Sequence, residues 1–504
     1  MSSNSKHDSI KLDFTVFLNV INGKLVDSSS KNTRRTINPA TFEQNPDVPV
    51  STIEDVNEVV KSARTASKAA SRVFTYSSPN MVMETNSNWW EGTPWSERQS
   101  ILASFVDAVE AHAEKFAQML VKEQGKTIYE ARGELQVSIQ ALRATCGLTL
   151  PEEELSASND SRKVVKRYVP LGVAVGIVPW NYPVFLACNK LGQALVTGNA
   201  FILKPSPFTP YCNLKLAELG TYFFPPGVFQ ALSGEDDIGP FLTAHPGVDK
   251  VSFAGSIATG KRVMQSCSST LKRVTLELGG NDPLIVCADV DVASVAPIVA
   301  ATAFANSGQI CFAPKRIYAH EAIYQEFLSA MIAYIRNLKL TTEEQVALGP
   351  VSNKPQYERV KQFLADIDEN KLTALTGGAH PSGDKPGFFL PPTLIDNPPE
   401  DSRIVVEEPF GPIPPLMKWS DESDVIQRAN NTEYGLGASV WSRDVAQAER
   451  IARQLQSGNV WINVPIQTDA NVEFGGHKYS GIGVEGGVEG LKGYCNLQIM
   501  WTGL

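Results

Sequence analysis

Alternating strand and helix signals predict an α/β protein built on a largely parallel, doubly wound sheet and followed by a second α/β unit. Three observations carry that prediction. From Val164 onward, short β-branched runs recur between helical patterns: Gly172 to Val178, Ala200 to Leu203, Val228 to Leu232, Lys250 to Phe253, Val274 to Leu278 and Leu284 to Cys287. After Asp289 the rhythm repeats with a helix over 291–305, a strand over 315–319, a helix over 321–338 and further strand and helix units up to Val460. Finally, 504 residues of which 43% are hydrophobic can bury a sizeable core, divided over two or three domains.

The elements ahead of the sheet are helical. Residues 53–73 and 96–124 place apolar side chains at helical spacing, for example Ile101, Phe105, Val109 and Phe116, and read as two long surface helices. Between them, Tyr76 to Gly92 is rich in Ser, Asn and Met, has no Lys or Arg, and reads as a loop longer than the usual connection.

Composition excludes several classes of function. With 45 basic and 54 acidic residues the formal charge is −9, and no run of basic residues offers a nucleic-acid or anionic-membrane surface. Apolar stretches such as Val173 to Val178 fall far short of the roughly 20 residues that span a bilayer. Met1 to Asp13 carries Lys6, Asp8, Lys11 and Asp13, unlike a secretory leader, so a cytoplasmic location is expected. The seven cysteines are scattered without a Cys-x-x-Cys pair, as expected of reduced thiols, and the six histidines form no cluster at ligand spacing, so no metal is expected.

Several motifs bear on chemistry. Gly481, Gly483 and Gly486 match the dinucleotide pattern Gly-x-Gly-x-x-Gly, but no strand precedes them and too little chain follows for a βαβ unit, so a glycine-rich loop is the better reading. Phe253 to Gly260 is the stronger phosphate candidate, because Gly255 and Ser256 lie past a strand and open a helix whose free N–H groups favour anions. Pro179 and Pro183 bracket Trp180 and Asn181 at the end of a buried strand, where ligands bind in open α/β sheets. In Thr275 to Gly280, strand alternation sets Glu277 opposite Leu276 and Leu278, ahead of a diglycine that permits close approach. Asn306 to Cys311 puts one cysteine on a short segment between helix and strand. Taken singly, each is commonly a turn, a cap, a solvated edge residue or a packing thiol.

Taken together, Pro179 to Pro183, Lys204 with Pro205, Gly255 with Ser256, Glu277 to Gly280, Gly308 to Cys311, Glu407 to Pro412 and Phe474 to Gly481 resemble, in order and spacing, the motifs of the aldehyde dehydrogenase superfamily, from about Ile21 onward. The resemblance implies a bilobal fold: an atypical Rossmann coenzyme domain (1–147 and 171–279), an α/β catalytic domain (280–483) and oligomerisation strands (148–170 and 484–504) that form a homodimer or homotetramer. It implies Cys311 as nucleophile, Glu277 as general base and Asn181 as an oxyanion donor, with Trp180, Lys204, Ser206, Gly255, Ser256, Glu408 and Phe410 at the coenzyme. The implied reaction is NAD- or NADP-dependent oxidation of an aldehyde to a carboxylic acid through a thiohemiacetal and a thioester. That chemistry is coherent: thiolate addition makes the carbonyl carbon able to expel hydride, fixed donors stabilise the oxyanion, and a carboxylate activates the water that clears the thioester.

The chain departs from the family pattern in places. Pro207 stands where many NAD-using members carry a carboxylate that would repel a 2′-phosphate, which keeps NADP open while the balance leans to NAD. Ile310 precedes Cys311, and Ala305 stands where several members of the resembling family place an aromatic lining the substrate tunnel, so smaller lining residues imply room for a bulkier aldehyde. Glu473 replaces a common proline, and Tyr76 to Gly92 is longer than the family's usual connection. The alternatives are a CoA-acylating dehydrogenase, against which Glu277 speaks, esterase activity as a side reaction, and a catalytically silent homologue, in which the nucleophile, base or oxyanion donor should have decayed.

Overall fold

The computed structural model describes residues 10–68, 89, 92–378 and 386–504. Its first sheet has eight strands in the order Lys24–Val26, Asn19–Ile21, Phe229–Ala231, Ala200–Lys204, Val173–Ile177, Lys250–Ala254, Arg273–Glu277 and Gly481–Ile482. The five from Phe229–Ala231 to Arg273–Glu277 are parallel, and the flanking strands are antiparallel. Side-chain alternation explains why this sheet is covered on both faces. Phe201 and Leu203 enter one core with Leu102, Phe105, Val184 and Leu191, whereas Ala200 and Ile202 enter the opposite core with Val56, Val59, Val251 and Leu276.

The second sheet has seven strands in the order Thr373–Ala374, Ile395–Asp396, Pro415–Trp419, Pro314–His320, Asp282–Val286, Gly437–Trp441 and Asn459–Ile462, parallel except for the first. It splits its side chains in the same way, with Ile285, Tyr318 and Val440 on one face and Leu284, Ile317 and Trp441 on the other. A third, antiparallel sheet joins Glu153–Glu154, Arg162–Pro170 and Cys495–Gly503, whose register runs from Cys495 opposite Pro170 to Gly503 opposite Arg162. Beyond Cys495 the last strand is exposed, with Leu497 and Trp501 uncovered. Among the described residues, no helix is long and apolar enough to cross a membrane.

Two expectations need correction or placement. The single helix over 96–124 is two helices, Trp95–Ala111 and Ala113–Gln124, broken at His112 (φ −104°, ψ 5°). The buried His112 ring nitrogens lie 2.8 and 2.9 Å from the Ala108 and Ile10 carbonyls, tying the break to the N-terminal segment. The helix expected over 53–73 is described as Ile53–Lys68. Tyr76 to Gly92 lies outside the described residues except for Trp89 and Gly92; Trp89 is buried, donates from Nε1 to Leu195 O at 2.9 Å and packs edge-on to Phe224.

Gly481–Ile482 pairs with Leu276 and Glu277, and a Cβ on Gly481 would stand 2.3 Å from Leu276 O. These glycines therefore serve close backbone packing and not a phosphate turn. Glu473 has a local role: its carboxylate accepts from Glu489 N at 3.1 Å in the helix Gly487–Lys492, and backbone hydrogen bonds to the carboxylate hold its pKa below the usual range.

Candidate active site

The parallel register sets the site. Ile177 pairs with both Lys204 and Phe253, and Ala254 pairs with Glu277, so the segments after these strands open at one edge of the sheet. After Ile177 the chain turns through Trp180 and Asn181 into the helix Pro183–Val196. That helix start is fixed by Glu134, whose Oε1 accepts from Val184 N at 2.8 Å and Phe185 N at 3.1 Å. The other Glu134 oxygen pairs with Lys126, and both side chains are fully buried. Lys126 Nζ also donates to Asn181 O at 3.0 Å and lies 3.7 Å from the centre of the Tyr182 ring. With its backbone anchored from behind, Asn181 directs Nδ2 to Gln309 O at 3.0 Å, two residues before Cys311.

The cysteine segment is a tight left-handed turn. Asn306, Ser307 and Gly308 have φ of 48°, 57° and 71° in succession. Only glycine takes this conformation without strain, so the two side-chain-bearing residues need external support. They receive it: Asn306 N donates to Glu130 Oε1 at 2.6 Å, Ser307 Oγ to Gly349 O at 2.6 Å, and Gln309 Oε1 accepts from Ser352 N at 2.9 Å. A Cβ on Gly308 would stand 2.2 Å from Gly411 O. Gly308→Ala is therefore expected to destabilise the protein by about 2 kcal/mol or more. Thermal unfolding that matches the wild-type midpoint would contradict this account of the turn.

Glu277 ends its strand 8% exposed, so it is a core residue and not a solvated edge. The diglycine after it brings the two sheets together: a Cβ on Gly280 would stand 2.5 Å from Cys311 O, and one on Gly279 would stand 2.3 Å from Glu408 Oε2. Burial, reinforced by Glu485, pushes the Glu277 carboxyl up to about 8, while Lys190 acts in the opposite sense. Its Oε1 has no hydrogen-bond partner among the described residues. Glu485 is held by Lys190 and by the Ser252 hydroxyl, and accepts from Asn189 Nδ2 at 3.2 Å. Burial, followed by Glu277, pushes the Cys311 thiol up to about 12, and Lys315 opposes the rise.

Lys204 and Ser206 are buried at the end of their strand. Burial lowers the Lys204 ammonium to about 8 despite the nearby Asp236, and it has no hydrogen bond or ion pair with another described residue. Gly255 and Ser256 follow Ala254, and Ser256 Oγ caps the helix Ile257–Ser268 by accepting from Thr259 N at 3.3 Å. Glu408 and Phe410 come from the far side. Glu408 Oε1 accepts from Gly280 N at 3.2 Å, and Phe410 meets the Trp180 ring edge-on at 5.5 Å between centres. Phe312 stacks on Trp461 and meets Phe474 at 5.2 Å, forming an aromatic wall beside Cys311.

Together these residues bring the Asn181 amide to the segment carrying the Cys311 thiol and set the buried Glu277 carboxyl within electrostatic range of that thiol, while the helix Ile257–Ser268 opens beyond the neighbouring strand end. Among the described residues the Lys204 ammonium is unpaired and the buried Arg34 Nη1 lacks a hydrogen-bond partner, and both suit an anionic or hydroxyl-rich ligand. Several contributors were not evident from the sequence. Lys126, Glu134 and Glu130 support the turn segments, Lys190 and Glu485 flank Glu277, and Lys315 lies four residues past Cys311.

Comparison with known proteins identifies the family. The model of the aldehyde dehydrogenase family matches residues 25–500. A putative aldehyde dehydrogenase of Gibberella fujikuroi is 39% identical, over 96% of this chain and 98% of its own. Phenylacetaldehyde dehydrogenase of Pseudomonas fluorescens is 34% identical, over 94% of this chain and 93% of its own. The NAD⁺ complex of Staphylococcus aureus betaine aldehyde dehydrogenase superposes with a TM-score of 0.90 at 30% identity, covering 97% of this chain and 95% of that one. The chain therefore belongs to the aldehyde dehydrogenase family, whose members oxidise aldehydes to carboxylic acids with NAD or NADP.

Proposed function

We propose that the chain performs this oxidation by covalent catalysis at Cys311. The reading rests on the reach of Asn181 Nδ2 onto the Gln309 carbonyl, which brings the amide to the segment carrying the thiol, with buried Glu277 across the diglycine. The Cys311 sulfur adds to the aldehyde carbon, and the oxyanion is met by the Asn181 amide and the Cys311 backbone N–H, each worth about 3 kcal/mol in comparable sites. Loss of hydride from this adduct leaves a thioester on Cys311. The nicotinamide, when bound, supplies the hydride acceptor. Glu277, once deprotonated, takes the proton of the water that cleaves the thioester, and Lys190 with Glu485 sets how readily that proton is held. A retained base favours water over a CoA thiol as acyl acceptor.

On this reading Lys204, Ser206, Gly255 and Ser256 bind the adenosine and pyrophosphate portion, and Glu408, Phe410 and Trp180 border the nicotinamide. Pro207 removes one barrier to a 2′-phosphate, while Glu235, paired with Arg34 at 3.1 Å, and the neighbouring Asp236 restore acidity near Lys204. Both coenzymes are expected to turn over, with NAD preferred by less than about 1,000-fold in kcat/KM, or roughly 4 kcal/mol. A larger ratio in either direction would contradict this balance. The aromatic wall of Phe312, Trp461 and Phe474 favours aldehydes with apolar or aromatic substituents. The decisive assay is a panel including phenylacetaldehyde, an alkanal and betaine aldehyde with each coenzyme, read by reduced-nicotinamide absorbance; no turnover with any of them would refute the proposal. The exposed strand Cys495–Gly503 suits a homo-oligomeric interface, and the need for a free thiol at Cys311 suits a cytoplasmic setting.

A further inference from the structure

Lys315 is a buried cation that the mechanism above leaves without a task. It sits in the strand Pro314–His320, 4% exposed, with Nζ donating to the Cys311 backbone carbonyl at 2.7 Å. The same ammonium pairs with Glu408 Oε1 at 3.1 Å and lies 5.6 Å from the centre of the Phe410 ring. Glu408 Oε1 also accepts from Gly280 N, so one carboxylate oxygen is held both by the diglycine and by Lys315. A single side chain thus joins the nucleophile's backbone to the residues on the nicotinamide side of the site.

Its charge is not cancelled by the other nearby acid. Asp282 is buried, and burial pushes its carboxyl up to about 8 while Lys315 acts in the opposite sense, so it is largely protonated at neutral pH. Glu277 is also held largely protonated there, for the reasons given above. Of the groups that face the thiol, Lys315 favours the thiolate and Glu408 disfavours it, and Glu277 from its strand end and Asp282 add to that opposition as they lose their protons. Tyr182, also within range of the thiol, is pushed up by burial and stays neutral. Lys315 is bonded to the carboxylate of Glu408.

We propose that Lys315 is a positioning residue that couples the coenzyme side to the nucleophile: it fixes the Cys311 carbonyl and the Glu408 carboxylate in one arrangement and supplies the positive charge that favours the Cys311 thiolate. This rests on Cys311 as nucleophile and Glu408 as a coenzyme contact. A side chain that merely filled space at this point could be replaced by methionine, which matches lysine closely in length, with little effect on thiol chemistry.

The test is the rate of Cys311 alkylation by iodoacetamide in coenzyme-free enzyme from pH 6 to 10, read by mass spectrometry of the Cys311 peptide, with NAD affinity measured by binding fluorescence. Lys315→Met is expected to slow alkylation at pH 8 at least about 10-fold, to move the profile to higher pH and to weaken NAD binding about 5-fold or more. Lys315→Arg, which keeps the charge, is expected to restore most of the rate. Glu408→Gln is expected to act in the opposite direction on the thiol, speeding alkylation. A folded Lys315→Met enzyme whose alkylation profile matches the wild type would overturn the proposal. If that variant fails to fold, Glu408→Gln decides alone, and an unchanged or slower rate overturns the coupling. Wild-type labelling that Cys311→Ala does not remove would instead overturn the nucleophile assignment, and this proposal with it.

Discussion

Replacing Cys311 by alanine is expected to lower kcat/KM for aldehyde oxidation by at least about 10⁴-fold, near 5 kcal/mol of transition-state stabilisation. The effect is large because, on the proposed route, the sulfur is the atom that bonds to substrate; without it no tetrahedral adduct forms and the Asn181 amide has no oxyanion to meet. Removing one side chain from the turn leaves its backbone supports from Glu130, Gly349 and Ser352 in place. Coenzyme binding should therefore change by no more than about 3-fold, since the pyrophosphate and ribose contacts proposed above lie on other segments. Reduced-nicotinamide absorbance measures the first quantity and fluorescence titration the second. An alanine variant with undiminished turnover would show that the covalent route is wrong.

The second large effect belongs to Glu277→Gln, which keeps shape and removes the proposed base. Steady-state turnover is expected to fall by about 10²–10⁴-fold, with one equivalent of reduced coenzyme released per site in a rapid burst and then near-arrest. Mass spectrometry of the arrested enzyme should find the acyl group on Cys311; continued multiple turnover at the wild-type rate would remove Glu277 from the hydrolytic step. The pH dependence carries the same assignment. Glu277 is raised above the ordinary carboxylate range, so it is protonated below about 8 and its basic form grows as pH rises through that value. Where thioester hydrolysis limits the rate, kcat should climb over that interval. Glu485→Gln removes an acid that raises Glu277, and should move the climb to lower pH.

Much of this fold can be read from the sequence because parallel strands buried on both faces leave a strong mark. Runs such as Ala200 to Lys204 and Val173 to Ile177 are apolar at every central position, and their observed ends fall within a residue or two of those expected. The break at His112 was hidden because apolar spacing continues across it: Val109 and Phe116 fit one helix as well as two, and the break depends on a carbonyl at Ile10 far away in the chain. The same distinction applies to the site. Cys311, Asn181 and Glu277 each sit on a short motif with its own local logic. Glu485 and Lys190 do not, because their meaning depends on a contact spanning almost three hundred residues, and Glu485 lies in a glycine-rich stretch that reads as plain loop. Lys315 left a fainter trace: a charged residue inside a strand that is otherwise buried from Pro314 to Ala319.

The tail of the chain has a double employment. Glu485, folded against the catalytic carboxyl, is followed within ten residues by the long outward-facing strand that begins at Cys495. If that strand forms an interface and Glu277 is the base, as proposed, removing residues 484–504 would also take away Glu485 and so lower the Glu277 carboxyl, whereas a substitution at Trp501 leaves Glu485 in place.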